Sequence, residues 1–158
     1  MLFLSTFNNK IDKKGRVSVP STFRSLLSEV ENAVVIYESI RSKCLEGCSV
    51  ARLQQMSNSI DKLDLYSDER DAFATVILGG SIKLSFDSEG RIILPEALLN
   101  FADLKGEACF VGKGEVFEIW NPKVYQEYFE KAKELANKNR NLLKMNQSIG
   151  QGINYEKK

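Results

Sequence analysis

The chain has 158 residues, 43% hydrophobic and 27% charged, the profile of a globular protein rather than a disordered or fibrous one. With 22 basic residues against 21 acidic ones, the net charge of +1 gives no global argument for a nucleic-acid partner, so only its distribution can. No run approaches the roughly 18 apolar residues of a membrane span, and Met1-Leu2-Phe3-Leu4-Ser5-Thr6 lacks the basic start and apolar length of a signal peptide, so a cytoplasmic protein is the default expectation.

In chain order, Phe7-Asn8-Asn9-Lys10-Ile11 reads as a strand, with poor alternation because of Asn9. Asp12-Lys13-Lys14-Gly15-Arg16 reads as a turn: the Asp carboxylate can accept backbone N–H bonds, and Gly15 can take the positive φ of a short hairpin loop. Val17-Ser18-Val19 returns as a strand, and Pro20 suits the first turn of a helix over 21–27. A strand over 33–37, a polar loop and a weak strand near Cys44-Leu45-Glu46 follow. Val50, Leu53, Met56, Ile60 and Leu63 have helical spacing over 50–63. Ser67 caps a further helix that Gly79-Gly80 ends.

The first motif then recurs. Asp87-Ser88-Glu89-Gly90-Arg91-Ile92-Ile93-Leu94-Pro95 repeats Asp, Gly, Arg and Pro in the same places, and here the preceding strand, Ile82-Lys83-Leu84-Ser85-Phe86, alternates cleanly. The two copies lie at a constant spacing, at which Ala33-Val34-Val35-Ile36 also matches Ala108-Cys109-Phe110-Val111. Motifs in register, followed by matching apolar runs, indicate a tandem duplication. Neither half alone would bury much surface, so a shared core is expected. Gly112-Lys113-Gly114 then reads as a hairpin turn before Val116-Phe117-Glu118-Ile119-Trp120, and Asn121 caps a helix from Pro122 to about Asn137.

The charge is unevenly spread. Lys10, Lys13, Lys14, Arg16 and Arg24 crowd the first repeat, whereas the second turn carries Glu89 and one arginine, Arg91. Asp12 and Arg16, like Asp87 and Arg91, flank their turns and can pair across them, which either only braces the hairpin or projects each arginine towards an anion. Little else carries chemistry. There is no histidine, and Cys44, Cys48 and Cys109 make a poor zinc set, so no metal site, cofactor or catalytic residue is assigned. No nucleotide-binding fingerprint is present, and a small-molecule substrate is not expected.

The paired turns, the proline after each returning strand, the Val111-Gly112 step and the Phe117-Glu118-Ile119-Trp120 end resemble the MraZ family of bacterial transcriptional regulators over about residues 1–140. One motif alone would indicate only the wider AbrB-type superfamily. The resemblance implies an α+β, mainly β fold: a pseudo-twofold, swapped-hairpin, double-psi-like β-barrel built from two tandem AbrB-like repeats with flanking helices. The chain then divides into repeats over 1–50 and 81–121, a helical linker over 51–80 whose apolar faces imply packing on the barrel, a C-terminal helix over 122–137 and, from fading periodicity and its Asn, Gln and Gly content, a mobile tail over 138–158. The resemblance further implies a homo-oligomeric ring that binds G-rich direct repeats in double-stranded DNA upstream of its own operon, in the division and cell-wall gene cluster, and hence a nucleoid-associated location. The expected DNA-binding residues are Lys13, Lys14, Arg16, Arg91 and Lys10, with Asp12, Gly15, Asp87 and Gly90 ordering the turns. Residues 41–48 depart from the family pattern, since Cys44-Leu45-Glu46-Gly47-Cys48 replaces a more regular apolar strand. An antitoxin-like AbrB-type protein and a structural ring without DNA are the competing readings; an enzyme is the weakest.

Overall fold

A computed structural model describes residues 1–28 and 31–144. Residues Met1–Tyr125 form one compact unit and Gln126–Lys158 a second.

The first unit holds strands β1 (Thr6–Lys10), β2 (Arg16–Ser18), β3 (Ala33–Glu38), β4 (Leu45–Cys48), β5 (Ile82–Ser85), β6 (Arg91–Ile93), β7 (Glu107–Gly112) and β8 (Phe117–Trp120). Its helices are α1 (Ser21–Ser28), α2 (Val50–Asp61), α3 (Asp68–Phe73) and α4 (Glu96–Phe101). Helix α5 (Pro122–Lys138) starts at its end, where the Asn121 side chain accepts the N–H groups of Lys123 and Val124 at 2.9 and 3.2 Å. Within the second unit α5 runs to Lys138, and a single 3-10 turn spans Arg140–Leu142. Most of the expected tail, from residue 145 on, lies outside the described residues.

The chain is mostly antiparallel sheet with helices, but the closed barrel expected from the resemblance is not formed. Six strands make an open sheet in the order β1-β7-β8-β4-β3-β5, and β2 pairs with β6 in a separate ribbon. The reason is local. β2 and β6 are three residues each, and Pro20 and Pro95 follow closely, removing the N–H that a longer ladder needs. Between β1 and β2 there remain one bridge, Ile11 to Val17, and a 2.7 Å bond from Asn9 Nδ2 to the Ser18 carbonyl. That bond accounts for the asparagine that spoils the alternation of β1.

The two repeats interleave. β1 pairs with β7, β5 with β3, and the ribbon pairs one short strand from each repeat, with Val17 opposite Ile92. In the middle of the sheet Glu46 stands directly opposite Glu118. Like charges so placed repel; here each has its own donors. Tyr37 Oη donates to Glu46 at 2.8 Å, and Trp120 Nε1 and Lys113 Nζ donate to Glu118 at 2.8 and 3.1 Å.

The strand register corrects the sequence alignment by one residue beyond the turns. Asn9 pairs with Ala108, while Leu84, at the place of Asn9 in the second repeat, pairs with Val34. Val34 therefore corresponds to Ala108, and Ile36 to Phe110, not to Cys109 and Val111. Only this match puts all four side chains in one core, because a slip of one residue exchanges the faces of a strand. That core is aromatic. Phe23 of α1 meets Phe3 at 5.2 Å and Phe117 at 5.0 Å between ring centres, so the first repeat's helix packs on the second repeat's hairpin. A second cluster lies on the other side of β3, where Val35, Tyr37 and Cys48 pack with Ile60 of α2 and Ile77. Ile77 belongs to a π-helical turn, Ala74–Leu78, that continues α3; Ser67 caps α3 by accepting the N–H of Arg70.

The strand expected weakly near Cys44 is β4, and it is central and buried. Its glycine hid it. A Cβ at Gly47 would lie 2.3 Å from the Phe117 ring, so strand β4 needs a residue without one.

A candidate nucleic-acid interface

Both Asp-to-Arg turns close alike. Asp12 Oδ1 accepts the backbone N–H groups of Lys14 and Arg16, each at 2.9 Å, and Asp12 Oδ2 accepts Arg16 Nε at 2.6 Å. Asp87 accepts the N–H groups of Glu89 and Arg91 at 2.8 and 2.9 Å, and Arg91 Nε at 2.9 Å. Gly15 and Gly90 take φ of +84° and +76°. Each turn is then tied to the other repeat: Gly15 O accepts the N–H of Leu94 at 2.9 Å, and Gly90 O that of Val19 at 3.2 Å. The bonds accepted by Asp12 and Asp87 hold both carboxyls below the ordinary carboxylate value. The largest influence is the backbone N–H of Arg16 on Asp12 and of Arg91 on Asp87.

The ribbon register decides what the turns display. Arg16 lies opposite Ile93 and Ser18 opposite Arg91. With the two-residue period of a strand, Val17 and Ile92 point into the core and are buried, while Arg16, Ser18, Arg91 and Ile93 share the outer face. Arg16 and Arg91 are thus brought together on one surface, and the field of Asp12 reaches Arg91. Lys13 and Lys14 are exposed at the first turn. Lys10 is not in the ribbon; it stands opposite Glu107 at the end of the β1–β7 ladder.

The two arginines differ. Arg16 uses Nε for Asp12, and its terminal nitrogens have no hydrogen-bond partner among the described residues. Arg91 is held at both ends, by Asp87 through Nε and by Glu89 through Nη2 at 3.0 Å; the Asp87 bond raises its pKa. Exposed Ile93 shares this face and was not flagged by the motif, although strand alternation from Arg91 would have placed it there.

Among the described residues no group of three or more His, Cys, Asp or Glu side chains could hold a metal ion. Cys44, Cys48 and Cys109 are buried thiols; burial pushes the first two up to about 12 and the third up to about 11, far from thiolate chemistry. No helix among the described residues is long and apolar enough to cross a membrane.

Fold and surface together define a tandem-repeat protein whose halves are interleaved around one core and whose turns flank a shared, arginine-bearing ribbon. The family profile described as "MraZ protein, putative antitoxin-like" matches residues 2–75 and 77–146, one match for each repeat. A "Transcriptional regulator MraZ" of Rickettsia bellii (strain OSU 85-389) is 48% identical over 141 residues, covering 88% of this chain and 94% of the relative. That of Rickettsia canadensis (strain McKiel) is 48% identical over 136 residues, covering 85% and 91%, and that of Rickettsia typhi (strain ATCC VR-144 / Wilmington) is 47% identical over 140, covering 88% and 94%. The chain belongs to the MraZ family, a non-enzymatic family of transcriptional regulators.

Proposed function

We propose that this chain is a sequence-specific DNA-binding transcriptional regulator that meets double-stranded DNA with the β2–β6 ribbon and its two turns. The observation that carries the reading is the common outer face of Arg16 and Arg91, each buttressed by an aspartate that its own turn orders. A two-stranded ribbon fits the major groove, and a guanidinium matches O6 and N7 of guanine. In this reading Arg16 and Arg91 face bases, Lys13 and Lys14 contact phosphate, and Lys10 adds charge at the base of the first turn. Its targets are G-rich direct repeats upstream of its own operon in the division and cell-wall cluster, and its location is cytoplasmic, at the nucleoid.

The same proposal makes the chain a homo-oligomeric ring of swapped-hairpin subunits. Two separate apolar patches support it. One surrounds a shallow pocket lined by Ile40, Met56, Ile60, Leu63, Phe73 and Ile77; the other holds Leu2, Leu4, Phe7 and Leu26. Unlike patches that meet head to tail build a ring where the rotation between subunits closes, and a ring presents many ribbons to successive repeats at high effective concentration. A gel shift with the DNA upstream of this protein's own gene, against a shuffled duplex of equal length, tests the proposal. Retardation of the upstream DNA at protein concentrations that leave the shuffled duplex free is expected; equal affinity for both, or for neither, contradicts it.

A further inference from the structure

The second turn carries two acids, Asp87 and Glu89, against one arginine, and Arg91 is engaged by both. On its own it is a poor surface for phosphate. The structure supplies a further cation from the other repeat. The guanidinium of Arg24, on α1, lies against the backbone of Gly90: a Cβ there would come within 2.4 Å of Arg24 Cζ. Arg24 Nε donates to the carbonyl of Val19 at 3.0 Å, at the end of the ribbon strand whose Val19 N–H is bound by Gly90 O. The guanidinium is therefore pinned beside the turn by one nitrogen. Its other two have no hydrogen-bond or acid partner among the described residues.

The opposite turn shows that this is not required by the fold. At the same spacing as the two turn glycines, Arg24 corresponds to Leu99, and Leu99 Cδ1 lies 3.5 Å from where a Cβ on Gly15 would be. A leucine fills the same place beside the lysine-rich turn, and an arginine fills it beside the acidic one. Arg24 also lines a cleft of about 420 Å³ with the hydroxyl-bearing Ser21, Ser25, Ser28 and Ser88. Asp87 lines it too, with its carboxylate already committed to its own turn and to Arg91. A guanidinium held at Nε among hydroxyls is a ligand set for a phosphate oxygen.

We propose that Arg24 is the backbone-phosphate contact of the second turn, supplied in trans by the first repeat, so that both turns engage the duplex despite their unequal charge. This rests on the DNA-binding reading above. The test compares wild type, Arg24→Leu and Arg24→Lys by salt-dependent titration on the upstream DNA and on the shuffled duplex. Leucine is what the equivalent position carries; if that variant melts early, Arg24→Gln replaces it. The loss of one phosphate contact should lower the salt slope by about one and weaken binding about tenfold near 0.1 M salt, equally on both duplexes. Arg24→Lys should keep the wild-type slope. An unchanged slope in Arg24→Leu while wild type binds would overturn the proposal and leave the DNA reading standing. So would an Arg24→Lys as weak as Arg24→Leu, since lysine lacks only the clamp to Val19. If wild type binds neither duplex, the DNA reading fails and Arg24 with it.

Discussion

Lys13 and Lys14 stand where Ser88 and Glu89 stand in the second turn, and this pair of differences makes the turns electrostatically unequal. Lys13→Ala should weaken binding to every sequence and lower the salt slope by about one. Glu89→Lys should release Arg91 Nη2 and strengthen non-specific binding. A slope untouched by Lys13→Ala would remove that lysine from the phosphate contacts. The turn glycines make a paired test of stability. Both have positive φ, but a Cβ on Gly15 would meet the fixed backbone oxygen of Leu94 at 2.7 Å, whereas one on Gly90 meets a side chain that can swing away. Gly15→Ala should therefore cost more, about 2 kcal/mol or above, and Gly90→Ala should cost less stability while displacing Arg24. Thermal melts of the two variants decide it. The turn residues were legible in the sequence because Asp, Gly and Arg act within five positions of one another. Arg24 was legible only as charge, because its partner turn belongs to the other repeat.

At the scale of elements, the turns are tied together by carboxylates, and this sets their response to acid. Asp12 and Asp87 lie below their ordinary value of 3.8 when folded. The stability they give is present above that value and is lost as the pH falls through the lowered folded values. The turns should stay ordered from neutral pH down to about pH 4 and loosen below it. Exchange of the Arg16 and Arg91 amide protons should report this, and Asp12→Asn should remove the pH dependence of the first turn alone. If exchange at Arg16 keeps its acid dependence in Asp12→Asn, the carboxylate is not what orders the turn. The central pair of strands is a second test. Gly47→Ala would force the Phe117 ring to move, an overpacking worth about 1–3 kcal/mol, which a denaturant titration would register. Of this pair β8 was legible as a strand, while β4 was only weakly so, because Glu46 and Gly47 break its pattern. The one-residue correction between β3 and β7 has the same origin: apolar residues fill both faces of these buried strands, so hydrophobicity cannot choose a face.

At the scale of the molecule, the duplication was readable while the way its halves combine was not. Periodicity predicts strands, but the pairing of β1 with β7 and of β5 with β3 joins residues far apart in the chain, and it leaves an open sheet with a ribbon instead of a barrel. The exposed apolar side chains Ile40, Leu63 and Phe73 have no cover within the first unit. Light scattering should find an oligomer at micromolar concentration, and Phe73→Asp should dissociate it without unfolding the chain. A strict monomer in wild type would sink the ring and the avidity that goes with it.

The central claim is that Arg16 reads bases from the ribbon. A competition titration of wild type and Arg16→Lys, on the operator and on point variants of its guanines, tests it most directly. Lysine keeps the charge and loses the bidentate fork, so the fold and oligomer should persist while each specific contact loses on the order of 1–3 kcal/mol and discrimination at guanine relaxes. An equal loss on every variant, with the specificity ratio unchanged, would make Arg16 a phosphate contact and contradict the claim; loss of the oligomer would make it only a brace for its own hairpin.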